Sequence, residues 1–157
     1  MLDLHWHSQD TSLKPLRLAG RELLPIVQGG MGIGISAHRL AGCVAALGAV
    51  GTISSVDLRR HHPDLMERTR GQRVGEAAKA AINAANLEAL EREIRAAREV
   101  ALGRGLVAVN VMRAVSEYAP LVTRSLECGA GAIVVGAGLP LDLPDLARDF
   151  PRAALLP

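Results

Sequence analysis

Apolar residues in this chain fall into short unbroken blocks, separated by stretches in which they return every third or fourth position. The blocks are Pro25–Gln28, Ala49–Ser54, Leu106–Met112 and Ala130–Val135, and Arg152–Pro157 reads as the opening of a fifth. Continuous apolar runs of this length are the mark of strands in a parallel sheet covered on both faces. Between the first two, Leu40, Val44 and Leu47 recur at helical spacing, with Ser36 placed to cap the helix and Gly48 to stop it. Asn86 is expected to cap a second helix whose stripe is Leu87, Leu90, Ile94, Ala97 and Ala101, ended by Gly103 and Gly105. Glu88/Arg92 and Glu91/Arg95 lie at salt-bridge spacing on its other side. Tyr118 to Glu127 predicts a third helix, with Pro120 tolerated in its first turn, and Leu143 to Phe150 a short fourth. Ser55 to Ala85 reads as a long irregular excursion with one short helix at Ala77–Ala81, and residues 1–24 as a polar leader. The order β-α-β-α-β-α-β-α-β predicts an α/β fold over residues 25–157, its parallel strands joined right-handedly and its helices on one face.

Composition narrows the function. The 157 residues are 49% hydrophobic and 22% charged, with 18 Lys+Arg against 16 Asp+Glu, which excludes a disordered chain and implies no polyanionic partner. Aromatics make up 2%, too few to stack the bases of a single-stranded nucleic acid, so no nucleic-acid ligand is expected. Cys43 and Cys128 are too few for a disulfide-stapled secreted fold, and the start of the chain lacks a cationic stretch followed by an apolar one. The longest near-apolar run, Cys43 to Ile53, is broken by glycines, so no membrane span is expected and a cytoplasmic location follows by default. The basic cluster Arg59, Arg60, His61, His62, Arg68, Arg70 and Arg73 reads as a solvated loop, with phosphate binding as its functional alternative.

Ligands of parallel α/β folds bind where the strands end, at the carboxyl edge of the sheet. Three loops there share a character: Gln28-Gly29-Gly30-Met31-Gly32, Asn110-Val111-Met112 and Gly136-Ala137-Gly138. Carboxamides both donate and accept hydrogen bonds, and glycines let a flat ring lie against backbone, so their convergence points to a planar heterocycle such as a flavin or nucleobase. Taken singly, each of these residues is explained by turn chemistry. A competing pattern is Gly32-Ile-Gly34-Ile-Ser-Ala37, which matches a dinucleotide fingerprint, with Asp57 as the ribose-binding acid of a NAD-binding Rossmann-type domain.

The segment Gln28-Gly-Gly-Met-Gly-Ile-Gly-Ile-Ser36 resembles the nitronate monooxygenase family, formerly the 2-nitropropane dioxygenases. The resemblance continues through Leu40-Ala-Gly-Cys-Val-Ala-Ala-Leu-Gly-Ala-Val-Gly51, Val109-Asn-Val-Met112 and Gly136-Ala-Gly-Leu-Pro-Leu-Asp-Leu-Pro144. It implies an FMN-dependent TIM barrel that oxidises alkyl nitronates or similar small carbanions with oxygen. Gly30, Met31, Gly32 and Asn110 would lie against the flavin, and Gly136 joins them as the cofactor-binding set. The same FMN barrel serves enoyl reductases of fatty-acid and polyketide synthesis. Such a barrel takes about 250 residues, and this chain reaches only a fifth strand, so the resemblance covers the amino-terminal half. The phosphate grip and the proposed catalytic histidine of relatives belong to the other half. None of His5, His7, His38, His61 or His62 matches that histidine, so no catalytic residue is assigned.

His38 reads as a helix-packing or surface residue and His61-His62 as loop, without a carboxylate or cysteine partner at ligand spacing, and no metal site is expected. Cys43 and Cys128 read as small packing residues, with Cys128, at a helix end, the one that could be partly exposed and reactive. The chain alone is expected to be inactive, to hold FMN poorly, and to associate with another copy or a second-half partner through open sheet edges. The reading from another functional class is a non-catalytic half-barrel or assembly module.

Overall fold

The computed structural model describes residues 13–71 and 75–157. The first part of the polar leader, with His5 and His7, and the basic-cluster member Arg73 lie outside the described residues. Four strands form one parallel sheet in the order β3-β4-β5-β6: β3 (Val50–Ser54), β4 (Leu106–Met112), β5 (Ala132–Gly136) and β6 (Ala154–Leu156). Their registers pair Ser54 with Asn110, Met112 with Gly136 and Ile133 with Leu155. An antiparallel hairpin of β1 (Leu16–Leu18) and β2 (Arg21–Leu23) precedes them. It falls inside the stretch expected to be a polar leader, where the turn residues Ala19 and Gly20 both adopt positive φ.

Alternate residues of the strands serve two different layers. Ile53, Val109, Val111, Ile133 and Val135 face α1 (His38–Ala46), α3 (Glu76–Ala101), α4 (Tyr118–Glu127) and α5 (Leu143–Leu146) in the main core. Val50, Leu106, Ala108 and Ala132 point the other way, where Leu23, Leu16 and Leu18 of the hairpin cover the strands near their amino ends. The helices therefore occupy one face, and the second face is covered by the hairpin instead of by a second helical layer. Each fully buried Ile, Leu or Val in the main core contributes on the order of 2 kcal/mol of apolar burial.

Several expectations are corrected. The strand expected at 25–28 contracts to a single parallel bridge, Val27 with Val50. Helix α3 begins at Glu76, so Asn86 lies in its second quarter and accepts a hydrogen bond from the Arg59 amide at 3.2 Å instead of capping. The excursion after β3 is also more regular than its composition suggests. It holds a 3-10 turn (Leu58–His61) and α2 (Pro63–Arg68), pinned by the fully buried Leu58 and Leu65. Its arginines are not a free basic patch. Arg68 pairs with Glu88, Arg70 with Glu67, and Arg60 with Asp57, while Asp64 takes both terminal nitrogens of Arg92 at 2.9 and 2.7 Å. Helix α5 stops at Leu146, short of Phe150.

The predicted pairs of Glu88 with Arg92 and Glu91 with Arg95 form at 2.6 and 2.8 Å. Among the described residues no helix is long and apolar enough to cross a membrane.

Helix α1 seats directly on the sheet because glycine faces it. A Cβ on Gly51 would lie 1.8 Å from the Ala41 carbonyl oxygen, and one on Gly105 would lie 2.3 Å from those of Ala45 and Ala49. Gly51→Ala must therefore push α1 away from β3, and the expected loss of stability is about 3 kcal/mol, read as a lower denaturation midpoint in urea. Gly71→Ala, which meets nothing within 4 Å, tests strain at positive φ alone, and its loss is expected to be about 1 kcal/mol.

Candidate functional site

The loop after the Val27 bridge is held at both ends. At its start, the Gln28 amide donates to the Val50 carbonyl at 2.9 Å, and the Val50 amide donates to the Ile26 carbonyl at 3.0 Å. The next rung is made by a side chain: Thr52 donates its amide to Gln28 Oε1 at 3.0 Å, and Gln28 Nε2 donates to the Thr52 carbonyl at 3.2 Å. The Gln28 carboxamide thus stands in for a strand residue while the backbone turns away. This explains why the strand stops short, and it withdraws Gln28 from the amides expected to face a ligand.

At the far end of the loop, Ser36 is fully buried and closes the turn. Its hydroxyl accepts the Met31 amide at 2.7 Å, its own amide donates to the Met31 carbonyl at 3.0 Å, and its carbonyl takes the Ser54 amide at 3.0 Å. Ser36 therefore ties the loop to β3 instead of capping α1, whose N-cap is Ala37. The Gly32–Ile33 peptide between these anchors is cis.

The sequence-predicted residues gather at the carboxyl ends of β3, β4 and β5. A Cβ on Gly30 would fall 2.6 Å from the Asn110 Cβ, so the loop backbone rests on that side chain, and Met31 next to it is 41% exposed. A Cβ on Gly32 would meet Ser54 Oγ at 3.2 Å and Val56 at 3.6 Å. Gly136 stands beside Met112 in the adjoining strand, with nothing within 4 Å of the place a Cβ would take. Ser54 and Asn110 are register partners, so Asn110 lies on the face opposite the helices. Among the described residues its half-buried carboxamide has no hydrogen-bond partner. The surface so formed is uncharged: glycine backbone, a thioether and one free amide.

On the helical side of the same end lies a cavity of about 180 Å³, bordered by Ser55, Val56, Asn83, Met112 and Glu117. The Ser116 hydroxyl, then the residue's own backbone amide and the Asn83 amide, hold the Glu117 carboxyl below its usual range. Arg113 stacks over the Tyr118 ring at 4.6 Å, and burial, then Asp142, pushes the phenol up. Asp57, the ribose-binding acid of the dinucleotide alternative, has its carboxylate taken up by Arg59 at 3.1 Å and by Arg60. Among the described residues no group of His, Cys, Asp and Glu could hold a metal ion.

The histidines depart from expectation. His38 and His62 share a carboxylate that sequence spacing did not associate with them: Glu93 of α3, only 2% exposed. Its Oε2 lies 2.7 Å from His38 Nδ1, and its Oε1 lies 3.0 Å from His62 Nε2, within ion-pair reach though off hydrogen-bond alignment. The signal for it is the acid's place in the helix, three residues after Leu90 and four before Ala97, inside the apolar stripe. Cys128 is buried, as its reading as a packing residue expects, whereas Cys43 is exposed, which corrects the same reading for that residue. No protein-family model matches the chain, and no characterised protein matches it in sequence.

Two outcomes follow. Gln28→Ala removes both hydrogen bonds to Thr52, together with the one to the Gly29 carbonyl, and is expected to cost about 2 kcal/mol in a denaturant melt. Burial raises the Cys128 thiol, with Glu91 adding to the shift, so less thiolate exists at any given pH. With Ellman's reagent at pH 8, Cys43 should react rapidly and Cys128 only on unfolding.

Proposed function

We propose that the chain is a flavin-binding α/β unit, the amino-terminal part of an FMN-dependent (β/α) barrel of the nitronate monooxygenase type. The observation that supports this best is the seat of Gly30 on Asn110: a backbone segment without a side chain lies over a strand-end carboxamide that keeps its donors and acceptor free. A carboxamide in that position fits the alternating acceptors and donor of a flavin's pyrimidine edge, and a glycine loop fits a flat ring. Parallel strands with helices on one face, and a hairpin over the amino ends of the other, suit a section of barrel wall closed at its base.

In this reading Asn110 orients the ring system, Gly30 and Gly32 give it backbone to lie on, and Met31 covers its exposed side. FMN supplies the electron-accepting chemistry, which no side chain of this site offers. A nitronate is the substrate class favoured by the family resemblance, with oxygen as the final acceptor. An enoyl reductase would use the same flavin seat, and the two separate by assay, since one consumes oxygen with propyl-2-nitronate and the other oxidises a nicotinamide cofactor with an enoyl thioester.

Titration of FMN with the purified chain at high protein concentration should quench flavin fluorescence saturably, with the weak affinity expected of the chain alone. Asn110→Ala should weaken that binding by about tenfold, the loss of one hydrogen bond made in a partly dry site. Equal quenching by Asn110→Ala would remove this residue from the site, and an unquenched spectrum at high protein concentration would remove the flavin.

A further inference from the structure

We propose that Glu93 is a positioning residue of the candidate site, holding the glycine-rich loop in its seat through His38 and His62. This rests on the flavin reading for its functional meaning, though the clamp itself is carried by the contacts. Glu93 Oε2 accepts both the backbone amide of His38 and its Nδ1, each at 2.7 Å, which fixes the first residue of α1. His38 stands two residues after Ser36, the residue that grips Met31 and Ser54. On the other side Glu93 Oε1 faces His62, whose neighbour His61 covers the far side of the loop: a Cβ on Gly34 would lie 1.6 Å from His61 Nε2. One buried carboxylate therefore anchors the two segments that border the loop from outside, while Gln28 and Ser36 tie it to the sheet.

A carboxylate buried in an apolar helix stripe is a poor stabiliser, because its desolvation offsets much of what its partners return. An apolar residue would serve packing better, and the particular gain from an acid here is directional hold on the His38 imidazole and amide, with the His62 ring kept within ion-pair reach.

The test compares wild type, Glu93→Gln and Glu93→Ala by amide hydrogen exchange and FMN titration. Glu93→Ala should speed exchange at Met31 and Ser36 by about tenfold or more while Val109 and Ile133 in the sheet keep their protection. FMN affinity should fall in step, and Glu93→Gln, which keeps an acceptor for the His38 amide, should restore most of both. If Glu93→Ala does not fold, His38→Ala carries the same comparison, since His62 remains to pair with the acid. Unchanged exchange at Met31 and Ser36 overturns the proposal, and so does equal loosening of loop and sheet, which marks a residue that only stabilises. Wild type that fails to bind FMN, with the loop still released by Glu93→Ala, sinks the flavin reading and leaves the clamp standing.

Discussion

Missing side chains at a few points of contact govern this molecule. Helix α1 packs against both the sheet and α3, and at each contact the space it needs exists because a glycine has no Cβ. Gly51 admits the Ala41 carbonyl on the sheet side, and Gly42 admits Val100 and the Ala97 carbonyl on the side of α3. Interiors packed to this density do not absorb an added methyl without moving an element. The same device, used once more at Gly30, lets the loop after the first bridge lie on Asn110. The fold and the candidate site therefore share one constraint, which is close approach of backbone to whatever faces it.

That constraint explains why the helix-facing layer was readable from the sequence while the loop was not. Blocks such as Leu106–Met112 and the stripe of Leu90, Ile94 and Ala97 are repeated statements of burial, so β4 and the second half of α3 stand where their periodicity puts them. Single residues doing unusual work leave no period. Gln28 completes a strand with its side chain, Ser36 closes a loop where a cap was expected, and the ten residues before Asn86 extend α3 although their alanines carry little amphipathic contrast. The hairpin was hidden for another reason: its strands are three residues long, and Leu16, Leu18 and Leu23 only become an apolar face once β1 and β2 pair.

At the site, the placing of Asn110 and Gly136 at one edge followed from topology, because parallel strands deliver all their carboxyl ends there, and Gly30 rests on Asn110. Glu93 did not follow, since its partners sit 55 and 31 residues away along the chain and meet it only after the excursion folds back on α3. An acid inside an apolar stripe is nonetheless a visible anomaly, and the general lesson is to ask of each such residue which distant group it is buried for. The uncharged character of the strand-end surface, beside a rim of paired arginines and acids, favours a ligand recognised by shape and by hydrogen bonds over one recognised by charge.

The most direct test of the account is a map of where FMN meets the chain, read from backbone amide shifts in an NMR titration. Binding at the carboxyl edge predicts progressive shifts at Gly30, Met31, Asn110 and Gly136, with Leu16, Leu23 and Ala154 at the opposite end unmoved. Shifts confined to residues outside that edge, or none at saturating flavin, would contradict it.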